Sequence, residues 1–179
     1  MLLLLLLALP VHAEWEGPSI SLAGFTSIQQ STQDLHWEMA EVWYRRCFAL
    51  AKSRGDRSLA TKALNNVGAI RLQHDDLVVA EAAFLQALRI NPADLDAAAN
   101  LAGTYLYQAQ AGAPGRREKA IEIYEVILMA RPNFAQAWCN LGVAYAAGGE
   151  MDRARECYLT ASRLDPRNEV YKDNLRRTQ

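Results

Sequence analysis

The sequence predicts an all-α fold, built as a row of antiparallel helix pairs with a helical cap at each end. Three observations predict it. Ala and Leu dominate the middle of the 179-residue chain, while its 10 glycines and 6 prolines gather at a few breaks, a composition suited to helices separated by tight turns. Within WCNLGVAYAAGGEMDRARECYLTASRLDP, residues 138–166, apolar side chains recur every three or four positions on both sides of Gly148-Gly149, which is the period of an amphipathic helix. The same pattern recurs twice upstream, and Pro92, Pro132 and Pro166 close the three copies, since proline cannot continue a helix.

From the N-terminus, MLLLLLLALPVHA is an apolar run, too short to span a bilayer. Val11 and Ala13 suit a signal-peptidase site with cleavage before Glu14, although no Lys or Arg precedes the run. Residues 1–13 therefore read as a signal peptide, which places the mature chain in a secreted or periplasmic setting. Without cleavage the expected setting is cytoplasmic. Residues 14–33 show no steady period and read as linker. In residues 34–60, Trp37, Ala40, Tyr44, Cys47 and Ala51 form one stripe, the sign of an N-terminal capping helix or degenerate repeat. Gly55 and Asp56 end that helix and start the next.

Residues 61–94 form the first full copy. Leu64, Val67 and Gly68 fit its first helix, and Ala80, Phe84, Ala87 and Ile90 its second. Arg71 stands where the other copies carry an aromatic residue, and its nearness to the end of the array accounts for that. Residues 95–134 form the second copy, with Leu101 and Tyr105 on one helix and Ala120 and Tyr124 on the other. It is six residues longer than its neighbours, and the excess falls in QAQAGAPGRREK, residues 108–119, read as a loop from Gly112, Pro114 and Gly115. Residues 135–168 form the third copy, with Trp138, Leu141, Gly142 and Tyr145 on one stripe and Ala154, Tyr158, Ala161 and Leu164 on the other. Gly142 and Ala154 are expected where the two backbones approach closely. Residues 169–179 begin a charged helix suited to solvating the C-terminal end of the array.

This pattern resembles the tetratricopeptide repeat (TPR), with its W-x2-L-G-x2-Y…A-x3-F…P signature and a period of about 34 residues. The resemblance is strongest at 135–168 and extends over 34–179. It implies a right-handed α-solenoid whose first helices line a concave groove. By that resemblance the sixth residue of each repeat faces the groove, and it is Asn66, Asn100 and Asn140 in turn. An amide offers a donor and an acceptor together, which matches a peptide backbone. Packing between neighbouring helices is an equal explanation for asparagine at these mid-helix positions. Lys62 and Gln136 occupy another groove position, and Tyr107 is the candidate aromatic anchor, or else a side chain packed under the 108–119 segment. Family members that clamp the carboxylate tail of a chaperone do so with several Lys and Arg residues. The matching positions here hold Asn65, Ala69 and Gln136, so an uncharged extended peptide or an amphipathic helix is the expected partner.

Other classes find little support. A formal net charge of -1 and the lack of a basic stripe argue against nucleic acid. His12, His36 and His74 stand in no ligand or catalytic spacing, and no phosphate-cradling motif is present, so no enzyme activity, metal or cofactor is expected. Cys47, Cys139 and Cys157 are odd in number and read as small buried apolar residues. The sequence thus predicts a non-catalytic scaffold or adaptor that holds another protein in its groove, in the assembly of an envelope or secreted complex if the signal peptide is real. The alternatives are a self-associating structural repeat protein and a fragment of a longer TPR protein.

Overall fold

The computed structural model describes residues 30–178, with side chains described from residue 37. The signal-peptide reading of 1–13 and the linker reading of 14–29 lie outside the described residues. Eight helices and no strand occur among the described residues: α1 Gln30–Arg54, α2 Arg57–Gln73, α3 Leu77–Ile90, α4 Leu95–Gln110, α5 Arg116–Ala130, α6 Ala135–Ala147, α7 Met151–Leu164 and α8 Glu169–Arg176. Residues 30–33, expected in the linker, already belong to α1. Helix α2 begins at Arg57, one turn before the first repeat was expected to start. The cause is a strong local signal. Gly55 takes φ +69° and ends α1, while the Asp56 carboxylate accepts the Leu59 amide at 2.9 Å and caps α2.

Each helix packs against the next in sequence: α2 with α3, α4 with α5 and α6 with α7 form the three pairs, flanked by α1 and α8. The first helices also touch one another, α2 with α4 and α4 with α6. The second helices α3, α5 and α7 make no comparable approach. A stack that is tight along one row of helices and open along the other must curve, and the first helices line the inside of the curve. Aspartate or asparagine caps recur at the starts: Asp76 for α3, Asp94 for α4 and Asn168 for α8. Helix α6 starts at Phe134 without a side-chain cap, and the Arg131 guanidinium lies 4.8 Å from that ring.

The core alternates small and large side chains. Ala80, Ala120 and Ala154 are fully buried at equivalent positions, each one turn before a buried ring, Phe84, Tyr124 or Tyr158. The glycines serve these rings. A Cβ on Gly68 would lie 2.6 Å from the Phe84 ring, and one on Gly142 would lie 2.7 Å from Tyr158. Gly142 therefore makes room for an aromatic ring from the second helix, where close backbone approach to Ala154 was expected. The main core runs unbroken from Leu72 through repeats two and three to Tyr171 of α8. A smaller cluster of Tyr44, Val67, Ile70 and Ala83 joins α1 to the first repeat.

The segment 108–119, expected as a loop, is mostly helix. Helix α4 runs on through Gln110 and α5 opens at Arg116, leaving residues 111–115 as the turn. Alanine, glutamine, arginine, glutamate and lysine are all good helix formers, and only Gly112 and Gly115, at φ +89° and +71°, force the chain to reverse.

Candidate functional site

The concave face is floored by α2, α4 and α6. Along it, the structure brings the predicted asparagines into one row and shows what their amides bond. Asn100 Nδ2 donates to Asn65 Oδ1 at 2.9 Å. Asn140 Nδ2 donates to the Tyr124 hydroxyl at 3.0 Å, and that hydroxyl donates to the Ala99 carbonyl at 3.3 Å. Both bonds have one form: the sixth residue of a repeat reaches back to the fifth of the repeat before, directly or through the Tyr124 hydroxyl. Asn66 lies half-buried at the N-terminal end of the row, where no earlier first helix stands among the described residues.

Gln136 extends this network at the C-terminal end. Its Nε2 donates to Asn140 Oδ1 at 2.9 Å, and its Oε1 accepts the Tyr171 hydroxyl of α8 at 3.1 Å. Asn174 Nδ2 contacts Cys139 Sγ at 3.4 Å. Asn174 is a fourth member of the row, 34 residues after Asn140, bonding back by the same rule. Helix α8 thus fills the place of a fourth first helix. The period itself, continued past Asn168, was the signal that would have found it.

Lys62 is exposed near the start of the groove. Tyr107 is 47% exposed on the last turns of α4. Next to it, burial pushes the Tyr124 hydroxyl far above its ordinary pKa. That proton stays on the oxygen, which keeps the Ala99 bond made.

The cysteines offer no reactive thiol at this face. Burial raises Cys139, and it raises Cys157 to about 11, so neither is a thiolate near neutral pH. Cys47 is only half-buried, less enclosed than expected. Among the described residues, no group of three or more His, Cys, Asp or Glu side chains could hold a metal, and no helix is long and apolar enough to cross a membrane.

Arg71 proves to be more than an end effect. Its Nη2 lies 2.8 Å from Glu41 Oε1 of α1, and Arg45 lies 2.7 Å from the same oxygen. The Glu41 side chain is only 10% exposed. Burial alone would raise its pKa, but hydrogen bonds from Arg71 and Arg45 outweigh that and hold it below the usual carboxylate value. At the same position of the third repeat, the Tyr145 hydroxyl reaches Glu125 of the preceding repeat at 2.8 Å.

The arrangement defines a class of protein: a helical-repeat scaffold with one continuous, largely neutral concave surface. The family model described as tetratricopeptide repeat matches residues 135–168. The Sgt2 TPR domain from Aspergillus fumigatus is 26% identical, with a TM-score of 0.58 over 66% of this chain and 76% of that one. The first TPR of Spaghetti (RPAP3), bound to the HSP90 peptide SRMEEVD, is 16% identical, with a TM-score of 0.60 over 66% and 89%. A MamA double mutant, MamA RS-1 ArsTM, is 20% identical, with a TM-score of 0.59 over 78% and 83%. No curated protein sequence matches. Residues 135–168 thus match the tetratricopeptide-repeat model, and the chain has the all-α solenoid fold of the TPR structures it is similar to.

Proposed function

We propose that the chain is a non-catalytic protein-interaction module whose groove holds a segment of another protein. The observation that carries this reading is the open concave face, lined by amide and small side chains and closed over by no other element among the described residues. Two domains of similar fold bind peptides: the first TPR of RPAP3 was solved with the HSP90 peptide SRMEEVD and the second with the HSP70 peptide SGPTIEEVD. Both peptides end in acidic residues. The present groove has Asn65, Ala69 and Gln136 where a carboxylate clamp would need cations, and Gln136 is already bonded to Tyr171 and Asn140. An uncharged extended segment, or the apolar face of a helix, fits this lining better.

The network also divides the groove. Its C-terminal part has its amides engaged by α8, whereas Lys62, Asn66 and Tyr107 flank the part over repeats one and two. These three side chains are our choice for partner contact. Asn100 and Asn140 serve chiefly to join repeats. A displayed library of random peptides, selected on the purified protein, tests this. Selected peptides should be poor in Asp and Glu and should lose tenfold or more in affinity for an Asn66→Ala/Tyr107→Ala variant that remains helical. Equal affinity for both proteins would remove the site from this part of the groove. With residues 1–13 read as a signal peptide, the module would serve assembly of an envelope or secreted complex. A mature N-terminus at Glu14 in the native host is the result expected, and an uncleaved Met1 would refute that setting.

A further inference from the structure

The second repeat differs from the other two in its six additional residues, and the structure shows where they go. The first helices α2 and α6 reach the thirteenth repeat position, at Gln73 and Ala147, and three-residue turns follow, 74–76 and 148–150. Helix α4 continues three residues further, its turn is two longer, and α5 opens one residue earlier. This changes what the turn can touch. Gln108, on the added part of α4, donates from Nε2 to Glu81 Oε2 of the first repeat at 2.8 Å. Arg116, the first residue of α5, donates from Nη1 to the other Glu81 oxygen at 2.8 Å. The Arg116 guanidinium also lies 4.7 Å from the centre of the Tyr105 ring, a cation–π geometry. Arg117 points the opposite way. Its Nη1 lies 3.3 Å from Glu150 Oε1 in the third repeat, and its guanidinium occupies the space beside Gly148 that a Cβ would need.

Two adjacent arginines thus grip both neighbouring repeats. The grip on Glu81 is well built. Both carboxylate oxygens are engaged, and the Arg116 and Glu81 side chains are 27% and 18% exposed. Burial raises the Glu81 carboxyl, but bonds from Gln108 and Arg116 outweigh it and hold it charged. The forward grip sits in a wider cluster, because Arg153 bonds the second Glu150 oxygen at 2.9 Å.

We propose that the insertion is a curvature lock: Arg116 and Arg117 fix the second repeat against both neighbours and so set the bend of the groove. The inner edge of the stack is already held by contacts between the first helices. Neighbouring repeats also pack α3 on α4 and α5 on α6, and the two arginines add a polar tie to each of these junctions at the turn end of the helices. A lock of this kind leaves each helix pair intact when released and changes only how the pairs are angled. It does not depend on what the groove binds.

Electron spin–spin distances test it. Nitroxides are placed at Arg89→Cys on α3 and Arg163→Cys on α7, both exposed, in a Cys47→Ser background with the full chain. The parent should give a single narrow distance distribution. An Arg116→Ala/Arg117→Ala variant should keep its far-ultraviolet circular dichroism and at least double the width of that distribution. Exchanging the charges, Glu81→Arg with Arg116→Glu, should reverse most of the broadening caused by Arg116→Glu alone. An unchanged width in the double alanine variant overturns the proposal. So does a loss of helicity in that variant, since it would make the pair a determinant of folding and not of angle.

Discussion

At the scale of single residues, the repeat uses glycine, hydroxyl and carboxylate for distinct tasks. Gly68 and Gly142 are slots for the Phe84 and Tyr158 rings. Gly142→Leu should destabilise the third repeat by about 1–3 kcal/mol, as overpacked cores do, and urea melts read this directly. An unchanged midpoint would mean that the ring shifts without strain. The middle repeat has Ala102 in place of the slot, and Tyr124 instead uses its hydroxyl to join the Ala99 carbonyl to Asn140. Tyr124→Phe keeps the ring but strands two polar groups, a loss of about 1–3 kcal/mol. Asp75 holds φ +57° in the turn where the third repeat has Gly149 at +79°. Asp75→Gly should therefore raise the melting temperature, because glycine accepts the left-handed region without the steric cost.

Glu41 and Glu81 are carboxylates held below their ordinary pKa of 4.5. Their contribution to stability is thus complete above pH 4.5 and is lost as pH falls through the lower folded-state values. Urea midpoints measured downward from pH 6 should hold to about the ordinary carboxylate range and then drop. The drop should shrink in Glu41→Gln, whose stability is already reduced at pH 6. A variant with the parent's acid profile would assign the loss to other groups.

At the scale of elements, what the sequence revealed and what it concealed follow from the range of each signal. The stripes at Trp138–Tyr145 and Ala154–Ala161 were legible because a helix face repeats within a few residues, whereas Leu164, read into the second stripe, is 41% exposed. The Gly55-Asp56 boundary was legible for the same reason, since a left-handed glycine and an aspartate cap act on adjacent peptide groups. The Glu41–Arg71 tie was hidden because it joins residues thirty positions apart on different helices, and nothing local in either helix announces the other. The 108–119 segment misled because Gly112, Pro114 and Gly115 were read as marking the whole of it as a loop, although they govern only its centre. At the candidate site, the row of asparagines was visible from the period, but its bonding back toward the previous repeat required the stacked helices to be seen. Asn174 escaped because α8 was judged by its charged outer face. Truncation after Arg167 tests the importance of α8. It should lower the urea midpoint and speed amide exchange most in α6, where Tyr171 and Asn174 make their bonds, and in α7, which packs against α8. Uniform change along the chain would deny α8 that local role.

At the scale of the whole molecule, the unbroken core from Leu72 to Tyr171 links three repeats into one body. Interfaces of this extent couple neighbouring repeats. Equilibrium unfolding followed by circular dichroism and by tryptophan fluorescence should accordingly give coincident transitions. Separate midpoints would show that the repeats unfold independently. Trp138, whose Nε1 donates to the Pro132 carbonyl at 2.8 Å, reports on the junction between repeats two and three.

The order of contacts carries a mechanical meaning as well. Each helix touches its neighbours along the chain, the first helices touch the next first helices, and no packing contact of comparable extent spans a whole repeat. A pull applied at the two ends therefore loads every junction at once, in series, and small changes of angle at each add along the chain. The molecule should then extend as a short spring, its compliance the sum of what the separate junctions allow.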